Sequence, residues 1–102
     1  MGYEAHKTKD SGDQGADVIA NKFGQKTAVQ TKRWDNKVNN KAIQEITAAI
    51  KYYNADEGIV ITNNTFTISA IELAKSNDIK LIDREKLGEL IKKHPIIKKE
   101  FD

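Results

Sequence analysis

Residues 16–32 read ADVIANKFGQKTAVQTK, and this segment sets the organisation of the rest of the chain. Two runs with strand character, Ala16–Ala20 and Thr27–Lys32, flank a connection, Asn21–Lys26, that contains a glycine. This pattern predicts a β-hairpin. Apolar residues of the two runs fall on both faces of that hairpin, so any polar side chain there requires a reason.

The predicted hairpin brings three polar side chains together if its turn centres on Phe23-Gly24. Asp17 then faces Gln30, and directly opposed side chains on one face have Cβ atoms roughly 4.5–5.5 Å apart. Lys32 follows Gln30 by two residues and therefore points to the same face. As a diagonal neighbour at roughly 7–8 Å, its long side chain can reach the carboxylate. One face is thus expected to gather a carboxylate, an amide oxygen and an ammonium group.

Hydrolysis of a phosphodiester bond can use each of these groups. Asp17 offers a divalent cation a hard oxygen ligand, and the Gln30 carbonyl oxygen can complete the shell or orient a water. Lys32 can hold that water or stabilise charge on the phosphoryl oxygens. The alternative is structural, because an aspartate at a strand start usually serves a turn, and glutamine and lysine usually face solvent. The three residue types alone leave both interpretations open.

Composition narrows the chemistry without identifying a partner. The chain has 102 residues, which fits a single domain spanning 1–102, and no cysteine, which excludes disulfides and thiolate zinc sites. Carboxylate and carbonyl ligands favour hard ions such as Mg²⁺ or Mn²⁺. The sequence predicts no membrane segment and shows no signal pattern, so we expect a cytoplasmic location. The net charge of +2 is too small to argue for any partner.

Helices and strands alternate after the hairpin. Apolar residues at steps of three and four predict helices, and short apolar runs predict strands. The opening meander implies antiparallel pairing, while the later crossovers imply parallel pairing. The expected fold is therefore α/β, a mixed sheet with helices on its faces. The predicted elements are strands Tyr3–Thr8, Ala16–Ala20 and Thr27–Lys32, helix Val38–Tyr53, strand Gly58–Thr62, helix Phe66–Ser76, strand Ile79–Ile82 and a helix capped by Asp83 that packs Leu87, Leu90 and Ile91.

Two segments together resemble a known family. Ser11–Ala20 (SGDQGADVIA) followed by Val29–Trp34 (VQTKRW) is similar to the signature of Mrr-like restriction endonucleases. These belong to the PD-(D/E)xK nuclease superfamily, and Mrr-like members carry glutamine in place of the middle acid. Later segments also resemble the strand-helix-strand end of the family, and the resemblance runs from about residue 2 to 91. These later segments are Gly58–Thr62, Phe66–Ala74 and Leu81–Leu87.

The resemblance implies roles for individual residues. Asp17 matches the metal-binding aspartate of the family, and Gln30 and Lys32 match its QxK element. By similarity to the superfamily, the backbone carbonyl of Thr31 is a further metal ligand. Magnesium dependence and double-stranded DNA as substrate are also implied. Some family members act on methylated DNA, so a restriction-type defence against modified DNA is expected.

The chain departs from the family pattern at its start. Family members usually begin with a helix carrying a glutamate near the site, before the glycine-tyrosine that matches Gly2-Tyr3. Here the chain starts at Met1, so we expect this opening helix to be absent. Either the sequence is a fragment of a longer protein or the fold has lost the helix that borders the site. A homodimer, in which a partner chain covers the exposed sheet face, is one arrangement that this leaves open.

Other residues beside the expected site have weaker claims to a function. Lys9, Arg33 and Lys37 are candidate DNA-phosphate contacts. Trp34 fits either a DNA contact or an aromatic at the edge of the core. The segment 63–65, Asn-Asn-Thr, is expected to cap a helix rather than contact DNA.

Two functions of different classes compete at this point. The leading hypothesis is an active, metal-dependent DNA endonuclease. The alternative is a catalytically inactive, nuclease-fold DNA-binding module of a larger protein, which the expected loss of the opening helix favours. A junction resolvase is a weaker rival, because the middle residue of its motif is usually an acid. A metabolic enzyme is weaker still, since the sequence has no phosphate-binding glycine loop or nucleophile elbow.

Overall fold

The computed structural model describes residues 4–7 and 16–93. Within these ranges the order is three strands, helix, strand, helix, strand, helix, which confirms the order predicted from the sequence. The elements are β1 (Glu4–Lys7), β2 (Val18–Lys22), β3 (Gln25–Lys32), α1 (Asn40–Tyr52), β4 (Glu57–Thr62), α2 (Ile68–Ser76), β5 (Ile79–Ile82) and α3 (Arg84–Lys93). None of the helices in the described part of the chain has the length and apolar character needed to cross a membrane.

The described strands form one mixed sheet in the order β1-β2-β3-β4-β5. β1 pairs with β2 and β2 with β3 in antiparallel fashion, whereas β3 pairs with β4 and β4 with β5 in parallel. A two-residue turn reverses the chain between β2 and β3, while a helical crossover returns the chain in the same direction between β3 and β4 and between β4 and β5. The mixed sheet expected from the sequence is therefore confirmed.

The β2-β3 hairpin turns at the residues that the sequence indicated. Phe23 and Gly24 both have positive φ, 52° and 82°, as a two-residue type I′ turn requires. Gly24 adopts this conformation without steric cost, whereas Phe23 carries a Cβ in the left-handed region. The ladder runs from Lys22 opposite Gln25 to Val18 opposite Val29, which is the register expected for this turn.

Helices α1 and α2 begin later than the apolar pattern predicted. Val38 and Phe66, expected inside the helices, instead form an isolated parallel bridge with each other. The cause is capping: Asn39 and Thr67 adopt extended backbone and accept hydrogen bonds from amides two and three residues further on. At α3 the expectation is confirmed, because the Asp83 carboxylate accepts the amide of Lys86 at 3.1 Å.

Helix α1 covers the face of the sheet that matters for the site. Its buried residues are Ala42, Ile43, Ile46 and Ala49. A Cβ added to Gly58 of β4 would lie 3.0 Å from Cγ1 of Ile46 and 2.8 Å from Cδ1 of Ile50, so glycine allows the helix to approach closely. By the alternation of strand side chains, the residues of β3 in register with Gly58, Val60 and Thr62 share this face. These residues are Ala28, Gln30 and Lys32.

Candidate active site

Asp17 lies immediately before β2, at an irregularity in the hairpin ladder. Its backbone amide donates to the carbonyl of Val29 at 2.8 Å, although Val29 is already the register partner of Val18. Asp17 and Val18 of one strand therefore both pair with Val29 of the other, which is the pattern of a β-bulge. Bulges change the direction of the side chains at the irregularity, and this decides where the Asp17 carboxylate goes.

The carboxylate of Asp17 is bound to Thr31. Oδ2 accepts the backbone amide of Thr31 at 2.8 Å and its hydroxyl at 2.9 Å. The prediction that Asp17 lies directly opposite Gln30, on one face with Gln30 and Lys32, is wrong. The regular register ends at Val18, and the hydroxyl that binds the carboxylate belongs to Thr31, whose side chain alternates with those of Gln30 and Lys32 along β3. These two hydrogen bonds fix the carboxylate across the end of the hairpin, beside the middle residue of the QxK element.

Gln30 is buried, with 3% of its surface exposed. Its Nε2 donates to Oε1 of Glu45 on α1 at 3.4 Å. Its Oε1 is fully buried and has no hydrogen-bond partner in the part of the chain that the structure describes. A buried acceptor left without a partner costs about 1–3 kcal/mol, so this position is not explained by stability.

Lys32 projects from the same face and meets the same carboxylate. Its Nζ forms an ion pair with Oε1 of Glu45 at 3.1 Å. The ammonium also lies 4.8 Å from the ring centroid of Trp34, within the range of a cation–π contact. The side chain is 15% exposed, so the positive charge is held near the surface but not free in solvent.

Glu45 is the site residue that sequence reasoning missed. It accepts hydrogen bonds from both residues of the QxK element through a single oxygen. A signal was present, because Glu45 follows Ala42 by three residues and precedes Ala49 by four, and both alanines are fully buried. At this spacing an acid lies on or beside the apolar stripe that packs on the sheet, where a charge is unusual.

Trp34 is held at the edge of the site by the loop after β4. Its amide donates to Oδ1 of Asn63 at 3.0 Å, and its carbonyl accepts Nδ2 of Asn64 at 3.2 Å. The expectation that residues 63–65 cap a helix is wrong, since Thr67 caps α2. The two asparagines instead fix the segment that follows β3. Trp34 is 37% exposed and lies beside the ammonium of Lys32.

The candidate DNA contacts are only partly placed by the structure. Arg33 and Lys37 are both exposed and lie in the segment between β3 and α1. They are close in sequence to Lys32 and Trp34. Lys9 lies outside the described residues. The structure therefore brings Gln30 and Lys32 together with Glu45 and joins Asp17 to Thr31, with two exposed cations following in sequence.

The side chains present fit a hard divalent cation. Within residues 4–7 and 16–93 there is no cluster of three or more histidine, cysteine or acidic side chains that could hold a metal, so a carboxylate-only cage is absent there. The donors that the family resemblance implies are the Asp17 carboxylate, the Thr31 carbonyl and the amide oxygen of Gln30; in this structure the carboxylate is bound to the amide and hydroxyl of Thr31. The buried Gln30 Oε1 without a partner is the observation that fits, because a cation would satisfy it. Mg²⁺ commonly binds with one or two carboxylates and keeps several waters.

Comparison with known proteins adds independent findings. A protein-family model described as a restriction endonuclease, Mrr_cat, matches residues 1–91. The type IV methyl-directed restriction enzyme EcoKMrr of Escherichia coli is 33% identical over 100 residues, which cover 89% of this chain and 33% of that enzyme. The chain thus spans about a third of the length of this curated relative. The crystal structure of a protein of unknown function, AF1548, matches with a TM-score of 0.67 at 20% identity, over 80% of this chain and 50% of that one.

The fold and the family model agree. The likeness to AF1548 shows a shared fold, with the mixed sheet and flanking helices described above. The family model covers most of the chain, including Asp17 and the QxK element. The chain therefore belongs to the Mrr-like restriction endonuclease domain family.

Proposed function

We propose that the chain is a single catalytic domain that hydrolyses phosphodiester bonds of double-stranded DNA with the help of Mg²⁺. The observation that carries this proposal is the buried, unpartnered Oε1 of Gln30 beside the ammonium of Lys32. An amide oxygen without a hydrogen-bond donor and an ammonium paired with Glu45 lie on one face of β3. A metal ion would give the oxygen a partner, and a phosphate would give the ammonium a second anion.

Each residue then has a defined task. Asp17 and Gln30 hold the cation through oxygen atoms, and Lys32 stabilises charge on the phosphoryl oxygens as the bond breaks. When bound, Mg²⁺ supplies positive charge at the phosphate and makes water a better nucleophile. In the reaction, water forms a new P–O bond and one P–O bond of the backbone breaks. The products are a phosphate monoester end, a hydroxyl end and one proton released to solvent.

The proposed substrate class is methylated DNA. Support comes from the relative in Escherichia coli, a methyl-directed enzyme. Because this chain spans about a third of that enzyme, recognition of the methyl group and cleavage need not lie in the same segment. Comparing methylated and unmethylated plasmids separates these two properties.

A plasmid-nicking assay tests the proposed activity. Wild-type protein is expected to convert supercoiled plasmid to open circles with Mg²⁺ and to leave it intact with EDTA. Asp17→Ala and Lys32→Ala are each expected to lower the rate by at least about 100-fold, the lower end for loss of a group that stabilises transition-state charge. Lys80→Ala is the matched control, since Lys80 is an exposed lysine on β5. Cleavage that persists in both site variants would show that Asp17 and Lys32 do not form the catalytic site.

A second function, DNA binding without cleavage, is favoured by one observation. The Asp17 carboxylate already has two hydrogen bonds to Thr31, and Lys32 already has an ion pair with Glu45. A site whose charged groups have protein partners can persist in a module that has lost catalysis. Binding of duplex DNA by the chain, together with no nicking in Mg²⁺ or Mn²⁺, would favour this second function.

A further inference from the structure

Glu45 contacts the two residues of the QxK element with one atom. Its Oε1 accepts from Nε2 of Gln30 at 3.4 Å and from Nζ of Lys32 at 3.1 Å. The other oxygen, Oε2, accepts no hydrogen bond from the described residues. Glu45 is 32% exposed at its side chain and forms an ion pair with Lys32.

The carboxylate of Glu45 determines which way the Gln30 amide points. A carboxylate only accepts hydrogen bonds, whereas a glutamine amide has a donor end and an acceptor end of nearly equal size. With Glu45 in place, the donor end must face the helix. The acceptor end, Oε1, is then directed to the opposite side, where it is buried and unpartnered. The reverse orientation would place two acceptors against each other and leave the amide donors buried instead.

The same carboxylate sets the position of the Lys32 charge. The ammonium is fixed between Oε1 of Glu45 and the ring of Trp34, at 3.1 Å and 4.8 Å. A lysine side chain loses up to about 2 kcal/mol of conformational entropy when it is ordered. Holding the ammonium in place before substrate arrives removes that loss from the binding step.

We infer that Glu45 is a positioning residue of the catalytic site. It orients the amide oxygen of Gln30 toward the cation and holds Lys32 on the same face of β3. This inference rests on the proposed function and deepens it, because it adds an acid from α1 to a site that the hairpin otherwise supplies. Glu45 acts through Gln30 and Lys32 and does not touch the reacting atoms.

The test measures Mn²⁺ binding to the metal-free chain by isothermal titration calorimetry. Glu45→Gln keeps the size of the side chain but lets the amide of Gln30 turn. It is expected to weaken Mn²⁺ binding by about 10-fold or more, the range found for residues that orient metal ligands. Glu72→Gln, the same change at an exposed position of α2, is expected to leave binding unchanged. Circular dichroism checks that both variants are folded.

A double-mutant cycle separates orientation from simple loss of charge. In a Gln30→Leu background there is no amide oxygen to orient, so Glu45→Gln is expected to have little further effect on Mn²⁺ affinity. Full additivity of the two losses, or wild-type affinity in Glu45→Gln, would overturn the role of Glu45. Either result leaves the proposed function standing if Asp17→Ala still abolishes nicking. A wild-type chain that neither binds Mn²⁺ nor nicks DNA overturns both.

Discussion

Replacement of Gln30 by leucine is expected to stabilise the fold while it abolishes nicking. Leucine is apolar and of similar length, and position 30 is 3% exposed. The substitution removes the buried Oε1 that has no partner among the described residues, a gain of about 1–3 kcal/mol. It also removes the 3.4 Å hydrogen bond to Glu45, a loss of about 0.5–1.5 kcal/mol. Glu45 keeps its ion pair with Lys32, so no new unpaired charge is created.

The net change is a rise of about 1 kcal/mol in the free energy of unfolding, the difference between those two hydrogen-bonding effects. For a domain of this size that corresponds to an increase of about 4–8 °C in the melting temperature. Urea unfolding followed by circular dichroism in EDTA measures the first quantity, and plasmid nicking in Mg²⁺ measures the activity. Gln44→Leu, at an exposed position of the same helix as Glu45, is the control and should change stability by less than about 0.5 kcal/mol.

Two results would refute this reasoning. A Gln30→Leu variant less stable than wild type by 1 kcal/mol or so would mean that Oε1 has a partner whose loss matters, such as an ordered water. A variant that keeps wild-type nicking would mean that the amide oxygen has no role in the reaction. The combination of higher stability and lost activity is the signature of a site residue retained at the expense of the fold.

Three further substitutions test the neighbouring geometry. Thr31→Val keeps the hydrogen bond from the backbone amide to Asp17 but removes the 2.9 Å hydrogen bond from the hydroxyl. The variant should lower the free energy of unfolding in urea by about 1 kcal/mol and slow nicking. Unchanged nicking would show that this hydroxyl does not position the carboxylate. Gly58→Ala places a methyl group within 3.0 Å of Ile46, and should destabilise by about 1 kcal/mol, since overpacking outweighs the entropy gain; a more stable variant would contradict the close helix approach. Phe23→Asn gives the turn an Asn-Gly pair at positive φ and should raise the melting temperature without changing nicking. A lower melting temperature would argue that the contact of the Lys22 ammonium, 5.7 Å from the centroid of the Phe23 ring, outweighs the gain in the turn.

The element order and the hairpin register could be predicted from the sequence because they depend on local features. Gly24 and the strand-forming runs on either side fix the turn, and the turn fixes which residues pair. Asp83 was recognisable as a cap from its position before a helical pattern. At the other two helices the apolar period continued into Val38 and Phe66, which are buried for a different reason, namely their bridge to each other.

The details of the site depend on contacts that are distant in sequence. The bulge at Asp17 follows from how two strands separate at the end of the ladder, which alternation alone does not describe. The Lys32–Glu45 ion pair joins a strand to a helix across the packed face. The hydrogen bonds between Trp34 and the asparagines Asn63 and Asn64 join residues about thirty positions apart in sequence. The structure therefore supplies the partners of the predicted site residues, which the sequence alone did not contain.

Crystals of the chain soaked in Mn²⁺ and measured near the manganese absorption edge test the central claim most directly. Anomalous scattering locates the ion without reference to activity. One strong peak is expected about 2.0–2.1 Å from a carboxylate oxygen of Asp17 and from Oε1 of Gln30, the range for a small hard cation. Manganese bound elsewhere, with the Gln30 oxygen still lacking a cation, would contradict it.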